Sequence, residues 1–293
     1  MALTSWGANS EYAKLTRVLL YRPGQEIDGY PDSAGIQHLA PISYRNLMTE
    51  YDAIISTFTS LGVAVDLIDS SPLSADDWYR YNLMYCRDLF FMTPQGAILG
   101  KMANQTRAAE PAYAARALKT AGVPLLHAVD GAGIFEGADA LWLREDLALV
   151  GVGHRTNQAG YEQVAAVLRE QQVTCLSIPS YQTKTQHLLG TVQIVDQNLA
   201  LVRHEITDPA VIRLLQEQGL TVVNIPERNE VLTQQAMNIV TIAPRTIIMT
   251  TGCPETRTQL ENSGLTVAAE LDLTQLMRGA GGLACATGIV ARG

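Results

Sequence analysis

Five times along the chain a Gly or polar pair opens an apolar stretch rich in Val, Ile and Leu, each time just after a helical-looking segment. The stretches begin at Leu61, Ala121, Gln171, Gln218 and Ser263, so successive intervals are 60, 50, 47 and 45 residues. A near-constant period of that length marks one supersecondary unit used repeatedly. Between these strands lies a second recurring element, a pair of apolar runs broken by a short polar turn. It spans Phe90 to Leu99, Ala140 to Val150, Val192 to Val202 and Ile239 to Met249, with Gly, Pro, Asp or Asn at the turns. Each reads as a β-hairpin. After each comes a segment with apolar residues near i, i+3, i+4 and i+7, such as Ala159 to Leu168 or Val211 to Leu215. That spacing is the mark of an amphipathic helix.

The unit is therefore strand, strand, helix, strand. With the opening Leu15 to Tyr21 strand and its helix around Tyr44 to Leu61, five units account for nearly all of the chain. Units that each bury one face against a neighbour close most simply into a ring, with helices outside and strand ends meeting at a central channel. The expected fold is a five-fold pseudosymmetric α/β propeller, a single catalytic domain over residues 1–293 with no Ser/Gly/Pro linker to divide it. A linear solenoid is disfavoured because neither end looks like a polar cap.

Composition narrows the ligands. A chain of 293 residues, 47% hydrophobic and 17% charged, suits a well-packed globular protein. Its net charge of -8 argues against a nucleic-acid partner and leaves small molecules as the expected ligands. No apolar run approaches membrane-spanning length and the N-terminal residues lack a basic, apolar leader, so no membrane association is expected and the cytoplasm is the default. Cys86, Cys175, Cys253 and Cys285 form no CxxC pair or Cys/His cluster, so no metal, cofactor or disulfide scaffold is expected. A homo-oligomer is left open.

Several polar residues fall at strand ends, where a ring would gather them. Asp88 stands at the head of the second unit's hairpin, Glu136 and Asp139 just before the third, and His187 at the start of the fourth. Cys285, in the fifth, lies within Gly279-Ala280-Gly281-Gly282-Leu283-Ala284-Cys285, a glycine density that presents a thiol rather than burying it. Thiol, imidazole and carboxylates are complementary: a nucleophile, a proton shuttle and partners for a cationic substrate. The Gly24 to Pro41 stretch, long and aperiodic, suits a mobile lid over such a site.

In order and spacing these pieces, together with Ser10-Glu11-Tyr12, Val18 to Gly24, Arg87-Asp88 and Arg155-Thr156-Asn157, resemble the guanidine-modifying enzymes of the pentein fold. That group includes arginine deiminase, dimethylarginine dimethylaminohydrolase and the amidinotransferases. The resemblance implies that Cys285 is the nucleophile, His187 the general acid/base, and Asp88 and Glu136 the guanidinium-binding carboxylates. It implies further that Arg155 clamps the substrate's α-carboxylate. Arg107 is expected to join it there, and Asp139 is counted with the substrate-binding residues.

The chemistry fits those types. A guanidinium is a planar, delocalised cation and a poor electrophile, so carboxylates must hold it while a thiolate attacks its central carbon. The adduct then expels an amine, which must be protonated to leave. The deiminases resembled here usually carry an aspartate two residues after the histidine, where this chain has Leu189. With fewer acceptors for terminal N–H groups, a substituted guanidine is favoured. The expected reaction is methylated L-arginine to L-citrulline and a methylamine through a thiouronium on Cys285. Arginine deiminase or dihydrolase follows, then amidinotransferase. A non-catalytic binding protein of the same fold is the alternative of a different class.

Overall fold

The computed structural model describes residues 6–28, 32–69, 71, 78–180 and 185–293. Five three-stranded sheets make up its β-structure. The four continuous ones are β3 (Phe90–Thr93), β4 (Gly96–Leu99) and β5 (Leu125–Ala128); β6 (Ala140–Arg144), β7 (Leu147–Gly153) and β8 (Thr174–Ser180); β9 (Val192–Asp196), β10 (Leu199–Val202) and β11 (Thr221–Asn224); β12 (Val240–Ala243), β13 (Thr246–Thr250) and β14 (Thr266–Leu271). In each, an antiparallel hairpin is joined by a parallel third strand. The α/β propeller expected from the repeat is the fold observed. Hairpin strands are buried while the third strands β5 and β11 are half-buried to exposed, which follows from their place at the outer edge.

The fifth sheet is assembled from both ends of the chain. Strand β1 (Leu15–Leu20) runs parallel to β2 (Ala64–Leu67) and antiparallel to β15 (Gly288–Arg292), with Val18 opposite Ile289. The sequence predicts only one opening strand for this unit, because its hairpin partner lies at the far end of the chain. This exchange closes the ring and carries Cys285, three residues before β15, back to the first sheet.

Each third strand is launched in the same way. The connecting helices are α1 (Tyr44–Ser60), α2 (Glu110–Thr120), α3 (Gln158–Glu170), α4 (Pro209–Glu217) and, after the short α5 (Asn229–Thr233), α6 (Pro254–Asn262). They end in left-handed residues: Gly62, Gly122, Gly219 and Gly264 have φ between 77° and 86°, and Gln172 has φ 61°. The next amide reaches back to the helix, as in Val63 N to Phe58 O at 2.9 Å and Leu265 N to Leu260 O at 3.1 Å. Glycine recurs because a Cβ in that conformation meets the neighbouring carbonyl. The periodic signal in the sequence is thus a helix stop.

Candidate active site

The loops that precede the first strand of each sheet's buried hairpin converge. Asp88 ends a tight turn ahead of β3, Glu136 and His187 precede equivalent turns ahead of β6 and β9, Asn238 stands before β12, and Cys285 lies in the single turn of helix Leu283–Ala286 before β15. Ring closure turns these five sequence-distant positions into one cluster. Asp88, His187, Asn238 and Cys285 line a single cavity of about 280 Å³, together with Arg107, Gln186 and Leu189. Glu136 lies behind His187 with 0% of its surface exposed.

His187 is held by two carboxylates. Its Nε2 lies 2.6 Å from Glu136 Oε2, and its Nδ1 lies 3.7 Å from Asp88 Oδ1. Burial works against the imidazolium, but Asp88, then Glu136 and Asp139, outweigh it and push His187 up to about 9. Burial likewise opposes ionisation of Glu136, yet the His187 hydrogen bond and the charges of His187, Arg107 and Arg155 bring its carboxyl down to about 2. The pair is therefore imidazolium and carboxylate at neutral pH. Ligand atoms of Asp88, Glu136 and His187 lie within 4.8 Å of one another, the spacing of a metal site.

Asp88 divides its carboxylate. Oδ2 accepts from Arg107 Nη1 at 2.7 Å, whereas the buried Oδ1 has no hydrogen-bond partner. Arg107 is itself buried and donates to Glu110 through Nε and Nη2, at 2.8 to 3.1 Å. Two carboxylates thus engage the guanidinium expected to meet a substrate's α-carboxylate, and its position also fixes Asp88. Arg87, beside Asp88 in sequence, turns away to pair with buried Glu11 at 3.0 Å.

Arg155 stands at the rim. Its Nη1 is 3.5 Å from Glu136 Oε1 and its Nη2 donates to Gln186, which lines the cavity. Asp139 faces away from the cavity: its oxygens accept from Thr156 Oγ1 at 2.8 Å and Leu188 N at 2.9 Å. It anchors the turn that follows His187. Of the Gly24 to Pro41 segment, residues 29–31 lie outside the described residues. Gln37 and Leu39 line the cavity, and the amides of Leu39 and Ala40 donate to Arg278 O at 2.7 and 3.2 Å.

The cysteine loop has supports that carried no motif. Tyr85 Oη donates to Leu276 O at 2.9 Å and accepts from Gly281 N at 3.2 Å. Buried Glu50 accepts from the amides of Gln275 and Leu276 at 2.6 and 3.0 Å. Asn238, just before β12, contacts Cys285 directly and carried no signal in the sequence. Burial, then Asp88, raise the Cys285 thiol above its ordinary pKa.

The sequence model of the eukaryotic N,N dimethylarginine dimethylhydrolase family matches residues 32–291. The chain belongs to this family. Family membership and fold together place it in the guanidine-modifying pentein superfamily. The dimethylarginine dimethylaminohydrolase of Pseudomonas aeruginosa, solved as a mutant complexed with citrulline, has 18% identity and a TM-score of 0.74, covering 95% of this chain and 100% of that one. SxtG, an amidinotransferase from Microseira wollei, has 17% identity and a TM-score of 0.79, covering 98% and 97%. An arginine deiminase from Streptococcus equi subsp. zooepidemicus is 25% identical over 260 residues, 75% of this chain and 62% of the deiminase. The chain spans 26% to 62% of the length of the curated arginine deiminases it matches. Among the described residues, no helix is long and apolar enough to cross a membrane.

Proposed function

We propose that the chain is a cysteine-dependent hydrolase that converts methylated L-arginine to L-citrulline and a methylamine. The position of His187 carries this reading: a strongly basic imidazole, bracketed by Glu136 and Asp88, shares one cavity with the Cys285 thiol. The unpartnered Oδ1 of Asp88 offers an acceptor to a guanidinium N–H. Entry of that cation offsets the burial and the Asp88 charge that keep the thiol neutral, and the thiol proton is lost to solvent. The sulfur attacks the central carbon, forming a C–S bond and a tetrahedral adduct. His187 gives its proton to the methylated nitrogen as the C–N bond breaks, leaving a planar thiouronium on Cys285. A water then gives its proton to His187 and attacks that carbon. The C–S bond then breaks as the adduct's hydroxyl proton passes to solvent, so that neutral citrulline leaves and the thiolate is restored.

Leu189, buried to 6% exposure in the cavity wall, favours a methylated substrate over an unsubstituted one. Arginine deiminase or dihydrolase is the second reading, supported by the deiminase relatives. An amidinotransferase would use the same intermediate and differ in passing it to an amine.

Acid quenching during turnover, followed by intact and peptide mass analysis, tests the covalent route. An adduct on the Cys285 peptide, absent from Cys285→Ser, is expected. Full turnover by Cys285→Ser would overturn the mechanism, since a hydroxyl at neutral pH is a far weaker nucleophile.

A further inference from the structure

We propose that Asn238 is a further catalytic residue, whose side-chain amide donates to the Cys285 sulfur and stabilises its thiolate for attack. This deepens the reading of Cys285 as nucleophile and rests on it. Asn238 Nδ2 lies 3.1 Å from Cys285 Sγ, and its other hydrogen points to Gln235 Oε1 at 3.2 Å. Oδ1 accepts from the backbone amides of Ala284 at 2.7 Å and Cys285 at 3.3 Å. The full capacity of the amide, two donors and two acceptor sites, is therefore used.

The orientation follows from chemistry. Backbone amides only donate, so the atom facing Ala284 and Cys285 N must be the oxygen, and the NH₂ is left to face sulfur. Rotating the amide would lose both backbone contacts and set Oδ1 against Gln235 Oε1. Two local features hold Asn238 in place. A Cβ at residue 282 would come within 2.6 Å of the Asn238 side chain, so Gly282 makes the approach feasible. Gln235, left-handed at φ 49°, accepts from Asn238 N at 2.7 Å and closes the turn that aims the side chain.

The rest of the wall explains why such a donor is needed. The ionisable groups that share the cavity with the sulfur are Asp88, Arg107, His187, Tyr85 and Arg203, the last paired with Glu227. Burial and Asp88 oppose the thiolate, and Arg107 is already neutralised by Asp88 and Glu110. An amide N–H favours the anion without adding a charge that would repel an incoming guanidinium.

The test is the rate of Cys285 alkylation by iodoacetamide against pH, assigned by peptide mass, in the wild type, Asn238→Ala and Asn238→Asp. The aspartate keeps an acceptor for both backbone amides but puts a charged oxygen where the donor was, so its shift is expected to exceed that of Asn238→Ala. Both variants are expected to hold at least about tenfold less thiolate at a given pH, shifting the profile upward, with kcat falling by more than KM changes. Should Asn238→Ala fail to fold, Asn238→Asp decides. An Asn238→Asp profile that superimposes on the wild type would overturn the proposal, whatever happens to turnover. Absence of guanidine hydrolysis in the wild type would remove the proposed function but leave this thiol comparison valid, so the two failures are distinguishable.

Discussion

Nε2 of His187 lies 2.6 Å from Oε2 of Glu136, a carboxylate with no exposed surface. The ring is thereby held in one orientation, with Nδ1 toward Asp88. Because the folded-state pKa of His187 is raised to about 9, its contacts stabilise the fold fully below the ordinary histidine value of about 6.5, and that contribution is lost as pH rises through about 9. Glutamate 136 has the opposite sign: its depressed pKa contributes stability above the usual carboxylate value, lost as pH falls through about 2.

Replacing Glu136 by Gln keeps the shape and removes the charge. The His187 ring then becomes less basic, and the alkaline limb of the kcat profile moves to lower pH. A loss of about 10²-fold or more in kcat at pH 8 is expected, with His187 titrating lower by NMR. A wild-type pH profile for Glu136→Gln would assign the acid/base elsewhere.

Arg155 contributes a partly exposed guanidinium beside the cavity-lining Gln186. If it clamps an α-carboxylate, agmatine, which lacks one, loses a charge-assisted bond of about 2 kcal/mol, roughly thirtyfold in kcat/KM. Arg155→Ala should narrow that gap by slowing only the carboxylate-bearing substrate. Equal kcat/KM for agmatine and the amino acid in the wild type would remove Arg155 from the site.

Gln172 is the one helix stop of the five where a side chain occupies the left-handed conformation. Gln172→Gly should relieve about 1 kcal/mol and raise Tm by about 2–4 °C, without changing kcat. The reverse change, Gly219→Ala, should lower Tm by a similar amount, because nothing crowds its Cβ position and only φ is strained. A Tm unmoved by either substitution would mean that the helix stops do not limit stability.

The repeat was legible because its physics is local: a left-handed glycine stops a helix wherever it occurs, and the hairpins announce themselves by two apolar runs around a polar turn. Asp88, Glu136, His187 and Cys285 could be read as a set because the repeat places them at equivalent strand ends. Residues defined by ring closure were not legible. The β15 strand pairs with β1 across nearly the whole chain, and Tyr85 meets Gly281 only once that ring is shut. The Arg107 ion pairs with Asp88 and Glu110 depend on how one hairpin folds back on itself, so sequence spacing did not reveal them. Asn238 sits in an ordinary Met-Asn-Ile context and is recognisable only by its partner.

The central claim is the identity of the substrate, and product identification tests it most directly. The enzyme is incubated separately with arginine, monomethyl- and dimethylarginine, and with arginine plus glycine or lysine, and products are identified by mass. Citrulline with methylamine or dimethylamine, formed from methylated arginines at a kcat/KM above that for arginine, is the predicted result. Arginine turned over faster than its methylated forms, or a new guanidino compound built on the added amine, would contradict it.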